Sequence, residues 1–185
     1  RGGPGLGTIQ PAQSDYFQSV KGGGHGDYHM IVLAPASVQE MYDFVEKGFD
    51  LAFKYRTPAM ILSDGAIGQM MEKVEVGEQK ERMPEDEIRQ KYPWATLGKT
   101  PDRDHNVITS LDLDSVKQEE FNRHLQAKYR EIEEKEVLFE EIDVEDADIV
   151  VVAYGTSSRI TQKSIKIARE KGIKVEAWSP IKRGQ

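Results

Sequence analysis

Two short apolar runs, Met30-Ile31-Val32-Leu33 and Ala59-Met60-Ile61-Leu62, limit what this chain can fold into more than any other feature. Both are too continuous for a sheet face open to water, so they read as strands covered on both sides. Between them, Ser37 with Glu40 three positions on reads as a capping box. Met41, Phe44, Val45, Phe49, Ala52 and Phe53 then mark one face of a helix that stops near Arg56, ahead of Thr57-Pro58. Strand, helix and strand at this spacing make a βαβ unit, parallel and with a right-handed crossover. The same grammar restarts late in the chain: a strand over Ala147–Ala153, a turn Tyr154-Gly155-Thr156-Ser157-Ser158, a helix to about Lys171 stopped by Gly172, and a strand from Ile173 to Trp178. The fold class is therefore α/β.

In open parallel sheets, ligands collect beyond the carboxyl ends of the strands. Ala34-Pro35 and Ser63-Asp64-Gly65 occupy such ends, and Asp64 suits either of two roles there: orienting a ligand, or closing an Asx-turn or helix cap. The Gly155-Thr156-Ser157-Ser158 turn resembles a phosphate-binding helix terminus, but it lacks G-x-G-x-x-G and the full P-loop pattern. Ser157 or Ser158 as a simple N-cap accounts for the same residues. Two glycine-rich runs, Arg1-Gly2-Gly3-Pro4-Gly5-Leu6-Gly7 and Lys21-Gly22-Gly23-Gly24-His25-Gly26-Asp27, suit backbone that approaches an anionic ligand closely. A mobile terminus and a surface turn would share that composition, and His25 would serve equally to shape a ligand loop or to cap the turn.

From Glu72 to about Asp114 the chain is charged and interrupted by proline, which reads as a linker or lid docked through Tyr92-Pro93-Trp94 and Leu97. Ser115 to Glu136 is a charged helix with a thin stripe of Val116, Phe121, Leu125, Tyr129 and Ile132, and Val137 to Ile142 reads as an edge strand. A net charge of -7 argues against nucleic acid or an anionic membrane surface as the general partner. The chain has no cysteine, so it holds neither a disulfide nor an iron-sulfur cluster through thiolates. No apolar run nears the roughly eighteen residues of a membrane span and no signal peptide is visible, which makes a cytoplasmic location the expectation. The 185 residues open on Arg1 without a methionine, as a fragment would.

The stretch RGGPGLGTIQPAQSDYFQSVKGGGHGDYHMIVLAPASVQEMYDF resembles the alpha-type subunit of the 2-oxoacid:ferredoxin oxidoreductases, in particular their 2-ketoisovalerate-like subgroup. The likeness continues through Pro58–Gly65, Gly68–Glu72 and Ile149–Thr156. It implies the remainder of a parallel-sheet, thiamine-enzyme pyrimidine-binding domain over residues 1–75, a charged linker and bridging helix over 76–145, and the start of a transketolase-C-like domain over 146–185. Relatives continue beyond Ser179-Pro180-Ile181 into further strands, whereas this sequence ends Lys182-Arg183-Gly184-Gln185, so a sheet face and edge are expected to need further residues or a partner.

By the same resemblance the activity is oxidative decarboxylation of a 2-oxoacid to acyl-CoA, with electrons passing to ferredoxin. Arg1 would face the substrate carboxylate with its planar fork, Gly2 and Gly3 leaving room. His25, Asp27 and Asp64 would shape the active-site loop, and Arg103 would meet a coenzyme A phosphate. No catalytic or metal-binding residue is assigned to this chain. The resemblance places thiamine diphosphate and Mg2+ mainly on the beta-type subunit, and no G-D-G with a following asparagine at ligand spacing is present here. Iron-sulfur clusters would sit on other subunits, and the partners would be beta-, gamma- and delta-type subunits, ferredoxin and the 2-oxoacid. The family's threonine-rich loop and pyrimidine-activating glutamate would precede Arg1, so the isolated chain is expected to be inactive. Two rivals stay open: a non-catalytic assembly subunit, and an independent phosphate- or nucleotide-binding module centred on Gly155 to Ser158.

Overall fold

A computed structural model describes residues 3–5, 7–8, 12, 15–23, 26–142 and 146–179. In chain order the elements are α1 (Asp15–Val20), β1 (Ile31–Leu33), α2 (Val38–Tyr55), β2 (Ala59–Ile61), α3 (Gly65–Gln69), α4 (Glu85–Lys91), α5 (Ser115–Lys135), β3 (Glu140–Ile142), β4 (Ile149–Val152), α6 (Gly155–Glu170) and β5 (Val175–Ser179). The chain divides into two compact units, residues 1–75 with 122–185, and residues 76–121.

In the first unit, β1 and β2 pair in parallel with Val32 opposite Met60, as the apolar runs require. The strands are shorter than the runs. Beyond the pairing, Pro58 has no N–H and contributes only its carbonyl, to the Ile31 N–H at 3.2 Å, while Pro35 ends β1. Helix α2 starts as the capping pattern demands: the Ser37 hydroxyl accepts from the Glu40 N–H at 3.1 Å. The return bond is displaced by one residue, because the Glu40 carboxylate accepts from the Ala36 N–H at 2.6 Å instead of from Ser37. The helix ends where Arg56 turns left-handed, at φ 47°.

The buried face of α2 is turned from the expected one and shares Phe44 with it. Phe44, Gly48, Leu51 and Tyr55 face the sheet, whereas Val45, Phe49 and Phe53 are exposed. Gly48 lies on the buried face, where a Cβ would stand 3.9 Å from the Ala59 Cβ and 4.0 Å from Leu33 Cδ1, at ordinary van der Waals distance. Phe44 then packs with Leu33 and Ala36, and Leu51 and Tyr55 pack with Ile31. Ile132 of α5 closes the second of these clusters. Beside it, Glu136 accepts from the Tyr55 hydroxyl and from Lys54 Nζ, each at 2.6 Å. Of the stripe expected on α5, Tyr129 is buried and Leu125 and Ile132 are half-buried, while Val116 and Phe121 are exposed.

The late α/β segment forms a three-stranded sheet in the order β3-β5-β4, with β4 parallel to β5 and β3 antiparallel to it. Ile165 of α6 packs on Val175 and Ala177. The helix closes at Lys171, followed by Gly172 at φ 77°. Among the described strands β4 is an edge, and Ile149, Val150 and Val152 on it are exposed.

The second unit carries α4 inside the stretch that reads as a linker. Glu85, Asp86 and Glu87 occupy its first turn and Arg89 and Lys91 its last, a charge order that complements the helix dipole. No helix among the described residues is long and apolar enough to cross a membrane.

Because an added methyl at Gly48 meets only ordinary contacts, Gly48→Ala should stabilise the full-length protein by about 0.5–1 kcal/mol through helix propensity. A larger side chain such as leucine should destabilise it by overpacking. Thermal unfolding of the two variants checks both signs, and a destabilised alanine variant would contradict the packing described.

Candidate functional site

The carboxyl end of β2, the start of α3 and the amino end of α6 meet at one side chain. Asp64 leaves β2 as the N-cap of α3, and its Oδ1 accepts from the Ala66 N–H at 2.9 Å and the Ile67 N–H at 3.0 Å. Its other oxygen, Oδ2, accepts from the Thr156 N–H at 3.4 Å, in the first turn of α6. Gly155 stands at φ 58°, and a Cβ there would lie 3.7 Å from both Asp64 Oδ2 and the Pro35 carbonyl. It is the positive φ, not want of space, that favours glycine at this position.

Burial opposes ionisation of Asp64, but the Thr156 hydroxyl and the N–H groups of Ile67, Thr156 and Ala66 outweigh it and hold the carboxyl below its ordinary value. The Thr156 Oγ1 is itself buried without a hydrogen-bond partner of good geometry among the described residues, so its contribution to the anion is that of a nearby dipole. A second tie runs alongside. Arg159 of α6 donates through Nη2 to Glu72 Oε1 at 2.5 Å and through Nη1 to the Ala36 carbonyl at 3.3 Å. Glu72 Oε2 accepts from the Val38 N–H at 2.9 Å. The Arg159 bond first, and the Val38 N–H second, hold the Glu72 carboxyl below its usual range.

Next to these ties opens a cavity of about 300 Å³, lined among others by Asp15, Tyr16, Ser63, Asp64, Tyr154 and Thr156. The Tyr16 and Tyr154 rings stand 6.2 Å apart, and burial, then Tyr16, push the Tyr154 hydroxyl up. Among the described residues no basic side chain lines the cavity, and the Thr156 N–H is already given to a carboxylate. The turn that resembles a phosphate cradle is thus occupied by the protein's own anion. The helix also begins earlier than the serines suggest. Tyr154 is its N-cap, with no side-chain capping bond, and Ser157 and Ser158 lie inside the first turn, Ser158 fully buried.

Of the residues singled out in the sequence, Arg1, Gly2 and His25 lie outside the described residues. Gly3 is exposed with open space beside it. Asp27 is exposed at φ 66°, at the end of a tight turn in which the Gly26 N–H donates to the Gly22 carbonyl at 2.9 Å. At Gly22 a Cβ would fall 2.8 Å from Gly26 Cα, so the turn itself demands this glycine. Arg103 belongs to the second unit and braces its own loop, donating to the Gly98 carbonyl at 2.9 Å and to the Asp104 carbonyl and Asn106 Oδ1 at 3.1 Å. The structure brings Asp64 together with Thr156, Glu72 and Arg159 around one strand-end crossing. The last three carry no signal at fixed spacing, since they join residues far apart in the chain. Among the described residues no group of three or more His, Cys, Asp or Glu side chains is arranged to hold a metal ion.

Residues 1–141 match the family described as pyruvate flavodoxin/ferredoxin oxidoreductase, thiamine diphosphate-binding. The chain belongs to this family. It is 49% identical over 183 residues, 98% of its length, to the ketoisovalerate oxidoreductase subunit VorB of Methanothermobacter thermautotrophicus, of which it covers 50%. It is 34% identical to the 2-oxoglutarate synthase subunit KorA of Methanocaldococcus jannaschii, covering 95% of this chain and 52% of that one. The fold is similar to that of the 2-oxoglutarate:ferredoxin oxidoreductase from Magnetococcus marinus, solved with 2-oxoglutarate, coenzyme A and succinyl-CoA bound. The match has a TM-score of 0.74 and 25% identity and covers 97% of this chain and 35% of that one. The chain therefore spans about half the length of the curated relatives it matches.

Since the folded-state pKa values of Asp64 and Glu72 are both lowered, their contributions to stability are complete above the ordinary carboxylate range. They are lost as pH falls through it toward the folded values. Asp64→Ala should cost about 1–2 kcal/mol at neutral pH, the usual loss of a cap, and flatten the acid limb of the stability curve. Urea unfolding between neutral and acid pH measures this, and parallel curves for variant and wild type would contradict the account of Asp64.

Proposed function

We propose that this chain is part of the alpha-type subunit of a thiamine-diphosphate-dependent 2-oxoacid:ferredoxin oxidoreductase, which decarboxylates a 2-oxoacid oxidatively to its acyl-CoA and delivers electrons to ferredoxin. The observation that carries the reading is the family match over residues 1–141 joined to near-half identity with a ketoisovalerate oxidoreductase subunit. The higher identity to that subunit, 49%, than to the 2-oxoglutarate synthase subunit, 34%, supports a branched aliphatic 2-oxoacid. Leu6 and Ile9, near the arginine-glycine run in sequence, suit such a side chain better than a second carboxylate.

In this reading Arg1 pairs with the substrate carboxylate, which a guanidinium fork does with two parallel hydrogen bonds, and Gly2 and Gly3 leave the ligand room. His25 and Asp27 shape the loop beside it. Asp64 acts through the two helix starts it caps, as a positioning residue. Thiamine diphosphate supplies the electron sink of the decarboxylation when bound. It and Mg2+ are held mainly by a beta-type chain, and the iron-sulfur clusters sit on other chains, since this one has no cysteine. Gamma- and delta-type chains complete the complex, in the cytoplasm. Residues 1–75 form the later part of a pyrimidine-binding domain, 76–145 a linker and bridging helix, and 146–185 the start of a transketolase-C-like domain. Arg103 meets a coenzyme A phosphate only by exchanging bonds it now makes to its own loop.

In the complete complex, Arg1→Ala should raise the KM for the 2-oxoacid by a factor on the order of ten to a hundred, the worth of a charge-assisted hydrogen bond. The KM for coenzyme A should stay near wild type. Steady-state kinetics with 2-ketoisovalerate as varied substrate provide the measurement. Equal effects on both substrates would count against the carboxylate role, and a preference for 2-oxoglutarate would count against the substrate class.

A further inference from the structure

Residues 107–113 of the second unit combine three properties seldom found in a connecting segment. Both ends are fixed. On the amino side, Asn106 Nδ2 donates to the Pro93 carbonyl at 3.0 Å while its Oδ1 accepts from Arg103 at 3.1 Å. On the carboxyl side, Asp114 Oδ1 accepts from the Val116 and Lys117 N–H groups at 3.0 and 3.4 Å, capping the start of α5. Between these anchors the segment is apolar yet bare: Val107 is 84% exposed, Ile108 72%, Leu111 71% and Leu113 91%. The backbone is also bent locally, since the Leu111 N–H donates to Thr109 Oγ1 at 3.2 Å and the Asp114 N–H to Asp112 Oδ1 at 3.0 Å.

Four large apolar side chains within seven residues, all in water, exceed the scattered single exposures of an ordinary surface. Such side chains on a segment held at both ends present a binding element whose ordering cost has been met in advance, which is what makes a short contact effective. Charge selects the occupant. Across residues 102–120, Asp102, Asp104, Asp112, Asp114, Glu119 and Glu120 outnumber Arg103 and Lys117, so a complementary surface has an apolar floor and a basic rim. A second copy of this chain, with net charge -7, would set acid against acid.

We propose that residues 107–113 are a docking arm, by which Val107, Ile108, Leu111 and Leu113 enter an apolar, basic-rimmed groove on a non-identical chain of the oxidoreductase. The inference rests on the reading of this chain as a subunit of such a complex.

The test uses the full-length subunit, alone and in the complex purified with its other subunits. Hydrogen exchange by mass spectrometry should show residues 106–114 unprotected in the isolated subunit and protected in the complex. Protection already present in the isolated monomer, protection that tracks self-association, or none in the complex would each overturn the proposal. Leu111→Asp with Leu113→Asp should leave the helix signal of the subunit unchanged, because both side chains lie in solvent, and weaken binding to the other subunits by roughly tenfold or more. Leu113→Met should bind as wild type does. Unchanged binding of the double aspartate variant would overturn the arm. A wild-type complex that assembles through a protected arm but does not reduce ferredoxin with any 2-oxoacid would instead remove the functional reading and leave the arm standing.

Discussion

One carboxylate terminates two helices. The Oδ1 of Asp64 closes α3, at the end of β2, and Oδ2 receives the Thr156 N–H of α6, ninety residues further along the chain. An anion at a helix start is stabilised by the unpaired N–H groups and by the dipole behind them, and here both helices direct that preference at the same group. The rest of the crossing follows from bringing α6 this close. Gly155 adopts a left-handed φ of 58°, which glycine takes without strain, and Arg159 lies within reach of Glu72 and of the Ala36 carbonyl.

This arrangement changes what the strand ends can do. A Gly-Thr-Ser-Ser turn begins a sixteen-residue helix, and one of its N–H groups, that of Thr156, is given to the protein's own Asp64. The place where an α/β fold ordinarily gathers ligands is used here to hold two α/β segments against each other. The ties at Asp64 and Glu72 hold the start of α6 against the ends of β2 and α3 and the start of α2.

The parts of the fold governed by local rules were legible in the sequence. Ser37 and Glu40 announced α2, the apolar runs announced β1 and β2, and Gly172 announced the end of α6. The face of α2 was not legible, because two stripes of equal helical period compete on it. Phe49 and Phe53 are the more apolar, but the stripe of Phe44, Gly48, Leu51 and Tyr55 is the one that packs on Ile31, Leu33 and Ala59, a choice made by tertiary contacts that helical period does not encode. Asp64 offered two roles from sequence, and its capping bonds are visible; its reach to Thr156 was not, since no spacing rule connects residues on different segments. For the same reason Glu72 and Arg159 passed as ordinary surface charges. The serines after Gly155 misled as capping residues because the left-handed glycine starts the helix ahead of them.

The most direct measurement of this account is amide exchange by NMR at Ala66, Ile67 and Thr156 in the full-length protein, compared with the same protein carrying Asp64→Ala. If one carboxylate closes both helices, the substitution should release all three amides together, the distant Thr156 included. Release at Ala66 and Ile67 with Thr156 still protected would mean that α6 is held by other contacts and that the shared cap is not what joins the two segments.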